Sequence, residues 1–205
     1  MADIDPQHSV TAALDARIHA GELSADQGQK AVASDLDTLL DHLSALQRRG
    51  WLARLTSRND AFTGLYIHGG VGRGKTMLMD MFHKALAARD NGIHPFRLHF
   101  HDFMVMAQDA VHAAREAGAT DPIAAAANDL AARGRVMCFD EMEVRDIADA
   151  MILARLFTAL FERGITVVAT SNRHADGLYK NGLHRDRFLP FIELLKTCLL
   201  YTSDA

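Results

Sequence analysis

The residues most able to do chemistry lie in one stretch, Gly69-Gly70-Val71-Gly72-Arg73-Gly74-Lys75-Thr76, which fits the spacing G-x-x-x-x-G-K-[ST]. Glycines at these intervals let successive backbone N–H groups turn inward and form a concave anion nest. A helix N-terminus following such a loop adds partial positive charge where a phosphate would sit. The spacing assigns Lys75 to the β- and γ-phosphates and the Thr76 hydroxyl to a magnesium ion. Met77, next in line, falls in the first helical turn and is included in the expected nucleotide contact. A plain glycine turn would need no strand before it and no helix after it, and both are expected here.

Two further clusters complete a possible phosphoryl-transfer site. Asp140-Glu141 follows the apolar run Val136-Met137-Cys138-Phe139. An aspartate there can hold a metal, and a glutamate beside the metal can polarise an attacking water. Thr170-Ser171-Asn172 follows Ile165-Thr166-Val167-Val168-Ala169 and offers Asn172 to orient that water and sense the γ-phosphate. Alone, either cluster is ordinary cap or turn chemistry; behind a phosphate loop both become site candidates. Arg185 and Arg187, in a polar segment, are candidates for an arginine finger that reaches a neighbouring subunit's nucleotide. His99 and His101 would share a strand face by two-residue alternation. No further ligands have recognisable spacing, so a structural role is favoured over zinc.

The elements that must position these groups alternate. Apolar runs at Leu65–His68, Phe96–His101, Val136–Phe139 and Ile165–Ala169 predict strands, and helices are expected at about 75–88, 103–116, 122–132 and from Asp146 to Gly164. Alternation of this kind implies parallel strands, right-handed crossovers and an α/β three-layer sandwich. Ligands then lie beyond the carboxyl ends of the strands, where every cluster above falls. Ahead of this core, residues 10–48 read as helices. Ser24-Ala25-Asp26-Gln27 has capping-box spacing, Gly21 ends the preceding helix, and Leu36, Leu39, Leu40, Leu43 and Leu46 mark one buried face.

Composition bounds the partners. The 205 residues carry a formal net charge of −4 with 49% hydrophobic and 23% charged residues, ordinary for a globular chain. An acidic balance weighs against a dominant nucleic-acid surface. The two cysteines, Cys138 and Cys198, supply no disulfide framework or zinc motif, and Cys138 reads as a small buried hydrophobe. With no signal-peptide pattern and no long uncharged apolar stretch, a cytoplasmic location is expected.

Several blocks resemble the ZapE-like AAA+ ATPases, bacterial cell-division ATPases with mitochondrial relatives. They are Gly64 through Asp80, His99-Phe100-His101-Asp102-Phe103-Met104, Cys138-Phe139-Asp140-Glu141, Asp146 through Leu153, Ala169 through Arg173, and Leu178 through Pro190. The resemblance runs from about residue 14 to residue 196. It implies an AAA+ fold, ATP and Mg2+, and assembly into a homo-oligomeric ring. It also implies a protein partner, which in a bacterium would be FtsZ, with peripheral membrane association. Lys75 and Thr76 carry over as Walker A, Asp140 and Glu141 as Walker B, and Asn172 as sensor 1. Arg185 carries over as the finger in preference to Arg187. His184 stands where the family has glutamine, as does Glu143, and both changes bear on partner or intersubunit contacts.

On this reading residues 1–55 are an N-terminal helical segment, 56–197 a nucleotide-binding core, and 198–205 a non-native tail outside the family pattern. The fifth core strand and the helical lid would be missing, leaving the strand before the phosphate loop as a sheet edge, and this chain would hydrolyse ATP slowly. Two alternatives are a nucleotide-dependent nucleic-acid machine such as a helicase loader and a non-hydrolysing ATP-dependent adaptor. A GTPase is disfavoured because Asn172-Arg173-His174-Ala175-Asp176 lacks the N-K-x-D pattern.

Overall fold

The computed structural model describes residues 7–48, 64–89 and 92–203. Two helices open the chain, α1 (Val10–His19) and α2 (Gln27–Arg48). Next come β1 (Gly64–His68), α3 (Lys75–Ala88), β2 (Pro95–His99), α4 (Phe100–Glu116) and α5 (Pro122–Ala131). The order continues with β3 (Val136–Asp140), α6 (Ile147–Glu162), β4 (Thr166–Ser171), α7 (Leu189–Cys198) and β5 (Leu200–Ser203). Short 3-10 turns at Ala175–Gly177 and Arg185–Arg187 lie between β4 and α7.

The strands form one parallel sheet in the order β2-β3-β4-β1-β5. Alternate side chains along each strand serve opposite faces, as the pleat requires. Leu65 and Ile67 of β1, Val136 and Cys138 of β3, and Val168 of β4 join α1, α2 and α3 in one buried cluster. Tyr66, Met137, Phe139, Val167 and Ala169 face the other way, into a cluster with α4, α5, α6 and α7. The result is a three-layer α/β sandwich. The leucine face of α2 is buried as its spacing predicts, with Leu36, Leu39 and Leu40 fully enclosed and Leu46 half-buried. This makes α1 and α2 part of the layer that carries the phosphate-loop helix. The boundary expected near residue 55 lies outside the described residues.

Local signals behave as their chemistry requires, with three corrections. Asp146 caps α6 by accepting from the Ala148 N–H at 2.6 Å, and Gly164 leaves that helix at φ +72°. Gly21, at φ +74°, follows α1. The cap of α2, however, is Asp26, whose Oδ1 accepts from the Gln29 N–H at 2.9 Å; Ser24 lies too far upstream. The second correction is that β2 ends at His99 and α4 begins at Phe100. His101 is therefore helical, and the pair does not share a strand face. Among the described residues no group of three or more His, Cys, Asp or Glu could hold a metal ion.

The third correction concerns the sheet edge. β5 pairs with β1 in parallel, Leu65 opposite Leu200 and His68 opposite Ser203. The fifth position is filled, and β1 lies inside the sheet. The cause is the exit of α7: Leu199 is extended (φ −116°, ψ 139°) directly after the helix, which delivers a segment containing Tyr201 and Thr202 to the open backbone groups of β1.

Candidate nucleotide site

The site is assembled from the carboxyl ends of β1, β3 and β4. Beyond β1 the chain turns through the glycine loop into α3. Gly72 and Gly74 take left-handed conformations, φ +79° and +88°, which cost an L side chain about 1–2 kcal/mol. Lys75 is 8% exposed, and its Nζ donates to the Gly69 and Gly70 carbonyls at 2.8 and 2.6 Å. Those bonds hold the ammonium across the loop's concave side, where oxygens of a phosphate could exchange for the carbonyls. The start of α2 braces the loop from outside: Gln29 Nε2 donates to the Arg73 carbonyl at 3.0 Å, and Asp26 pairs with Arg73 at 3.5 Å.

Hydrogen bonds lace β3 to β4. The Met142 N–H donates to the Thr170 carbonyl at 2.7 Å, and the Glu141 N–H donates to Thr170 Oγ1 at 3.1 Å. Ser171 Oγ donates to the Met142 carbonyl at 2.8 Å. On the other side, the Gly69 N–H donates to the Ser171 carbonyl at 3.2 Å, tying β4 to the phosphate loop. These bonds fix Glu141 at φ +55°, a sparsely populated conformation for a non-glycine residue and one that structures tend to hold at functional sites. Tyr66 reaches from β1 to donate to the Arg173 carbonyl at 2.8 Å. Burial is the main cause of its phenol's raised pKa.

A 360 Å³ cavity lies over these ends, lined by Val71, Gly72, Arg73, Gly74, Lys75, Thr76, Glu141, Thr170, Ser171 and Asn172. The structure thus gathers Lys75, Thr76, Glu141 and Asn172 from three separate strand ends into one space. Asp140 lies next door, lining a 340 Å³ cavity that shares Glu141 with the first. Thr76 and Asp140 offer hydroxyl and carboxylate oxygens, a hard donor set that suits Mg2+. Gly69 and Gly70 sit at the base of the loop, under Lys75. Met77 does not line this cavity; its side chain lies beside Gly74 and lines a groove next to α1. Arg185 and Arg187 line neither cavity of the rim. Arg185 Nη2 donates to the Asp176 carbonyl at 2.7 Å, whereas its Nε is buried without a partner. Arg187 is exposed.

Sequence reasoning missed Thr170 and Ser171 as the lacing of the rim, Gln29 as a brace, and Arg97. The guanidinium of Arg97 bonds Asp140 through Nε at 2.7 Å and Nη2 at 3.2 Å, and its Nη1 donates to Asp80. A charged residue inside Phe96-Arg97-Leu98 was the available signal, because such a group is buried only when paired.

A parallel β2-β3-β4-β1-β5 sheet with a glycine phosphate loop after β1 and an Asp-Glu pair after β3 defines an AAA+ P-loop NTPase core. Solved structures agree on the fold. The DnaC helicase loader matches at TM-score 0.57 with 12% identity, covering 87% of this chain and 91% of that one. AMPPCP-bound DnaA from Aquifex aeolicus matches at TM-score 0.54 with 14% identity, covering 97% of this chain and 50% of that one. The family model for AFG1-like ATPases matches residues 8–201, and the chain belongs to that family. It is 47% identical over 156 residues to the cell division protein ZapE of Escherichia coli K12, an alignment spanning 76% of this chain and 40% of that protein. It is 45% identical over 151 residues to lactation elevated protein 1 homolog B of Danio rerio, covering 69% of this chain and 29% of the relative. The chain therefore spans less than half the length of these relatives.

Proposed function

We propose that this chain is the nucleotide-binding core of an ATPase that converts ATP and water to ADP and phosphate while acting on a protein partner. The observation that carries the reading is the convergence of Lys75, Thr76, Glu141 and Asn172 on one cavity. In this scheme the loop N–H groups and Lys75 bind the β- and γ-phosphates. Thr76 and Asp140 would hold Mg2+, which would supply charge neutralisation at the transferred group. Glu141 accepts a proton from water, and its constrained backbone aims the carboxylate into the cavity. Asn172, at the end of β4, orients the same water.

Protein remodelling is supported by family membership and by the name of the E. coli relative, a cell division protein. An FtsZ-like partner, a homo-oligomeric ring with Arg185 as its finger, and a cytoplasmic location belong to the same proposal. Among the described residues no helix is long and apolar enough to cross a membrane. The test is steady-state ATP turnover beside Glu141→Gln. Turnover that falls in the variant while ATP binding persists is the expected result. Binding without turnover in either protein would replace the enzyme with a nucleotide-dependent adaptor.

A further inference from the structure

Arg97 occupies an unusual place. It lies in the middle of β2, at the edge of the sheet, opposite Cys138 of β3. Its side chain is 20% exposed, and it engages two carboxylates on two different elements. One is Asp140, whose side chain is 9% exposed and whose two oxygens both accept from Arg97. The other is Asp80 of α3, four residues after Thr76 and about one helical turn from it.

A bidentate fork restricts a carboxylate in both position and plane, which a single ammonium contact cannot do. The fork leaves a lone pair on each carboxylate oxygen for further acceptance. Asp80 anchors the far side of the guanidinium on the helix that carries Lys75 and Thr76. The carboxylate at the end of β3 and the hydroxyl at the start of α3 are therefore held in register by one side chain.

We propose that Arg97 is the positioning residue for the magnesium site, orienting Asp140 through the bidentate fork while Asp80 ties that fork to the phosphate-loop helix. The inference rests on the nucleotide reading above and assigns a role to two residues outside the cavity lining.

The test is the Mg2+ dependence of fluorescent ATP-analogue binding to the full chain, with binding in EDTA measured on the same samples. Loss of an outer partner of a metal ligand lowers metal affinity on the order of 10–100-fold. Arg97→Ala should raise the Mg2+ midpoint by that factor and leave binding in EDTA within twofold. Arg97→Lys should not restore it, because the lysine supplies charge without the fork. Asp80→Asn keeps α3 intact at a half-exposed position and should shift the midpoint about two- to fivefold, the scale of a partly exposed ion pair. It carries the test if Arg97→Ala fails to fold. An unchanged Mg2+ midpoint in Arg97→Ala, or in Asp80→Asn if that variant must stand in, would overturn the proposal and leave Arg97 a structural ion pair. Full rescue by Arg97→Lys would overturn the fork. Absence of analogue binding by the unaltered chain would instead bring down the nucleotide reading, and this proposal with it.

Discussion

The rim formed by β1, β3 and β4 and the segment from Leu178 to Phe188 both present polar residues and both carry internal hydrogen bonds, yet of the two the rim gathers its polar groups around a shared cavity. In the rim each group has its setting supplied locally. Gly72 and Gly74 take the positive φ angles that the nest needs, Lys75 is satisfied by two loop carbonyls, and Glu141 is fixed by hydrogen bonds from β3 to β4. In the other segment Phe188 is fully buried, but the arginines line neither cavity of the rim. Arg185 is drawn back to Asp176, and its Nε has no partner. Residues that act within one subunit are readable from one subunit. On the proposed reading Arg185 acts across an interface, so one subunit shows only its resting contacts.

Variants can break this comparison. The largest effect is expected from Glu141→Gln: ATP turnover should drop on the order of 10²–10⁴-fold, the usual contribution of a positioned base, with ATP affinity retained in an equilibrium titration. Next is Gly74→Ala. A Cβ there would sit 2.9 Å from Gln29 Nε2 at φ +88°, and a cost of about 1–2 kcal/mol in stability is expected, measurable by urea denaturation. Tyr66→Phe removes the donor to the Arg173 carbonyl and should cost about 1 kcal/mol in the same assay. Smallest is Arg185→Ala, which should change the single chain's stability by no more than about 0.5 kcal/mol. In an assembled ring, by contrast, loss of a true finger should lower turnover on the order of 10³-fold or more. A large loss in the monomer would erase the distinction between the two regions.

The core behind the rim has its own pH signature. Burial pushes the Cys138 thiol up to about 12, above the ~8.5 of an exposed cysteine. The folded state therefore retains a proton that the unfolded state releases. Its contribution to stability is complete below about pH 8.5 and declines as pH rises from there towards 12. Cys138→Ala should flatten that part of a denaturation-versus-pH curve, although the variant is less stable at neutral pH.

How much of this was legible follows the same division. The phosphate loop, the three strand ends that meet over the cavity and the leucine face of α2 all declare themselves through local spacing. The end of β2 did not: His99-Phe100-His101 continues a strand's alternation, and tertiary packing of Phe100 and Phe103 against Phe139 sets it as a helix start. Nor did β5, because its pairing with β1 joins residues more than 130 positions apart, a contact no local pattern specifies. Arg97 needed its two carboxylates, one from α3 and one from β3, before its place made sense. Where function depends on contacts distant in sequence, only the fold discloses them.

The central claim is that this rim binds ATP through Lys75. Calorimetric titration of ATP with Mg2+ into the chain and into Lys75→Ala tests it most directly. The account predicts saturable binding weakened roughly 10–150-fold in the variant, as expected for loss of hydrogen bonds from a charged group worth ~1.5–3 kcal/mol. Equal affinity in the two proteins, or no binding by the unaltered chain, would contradict it.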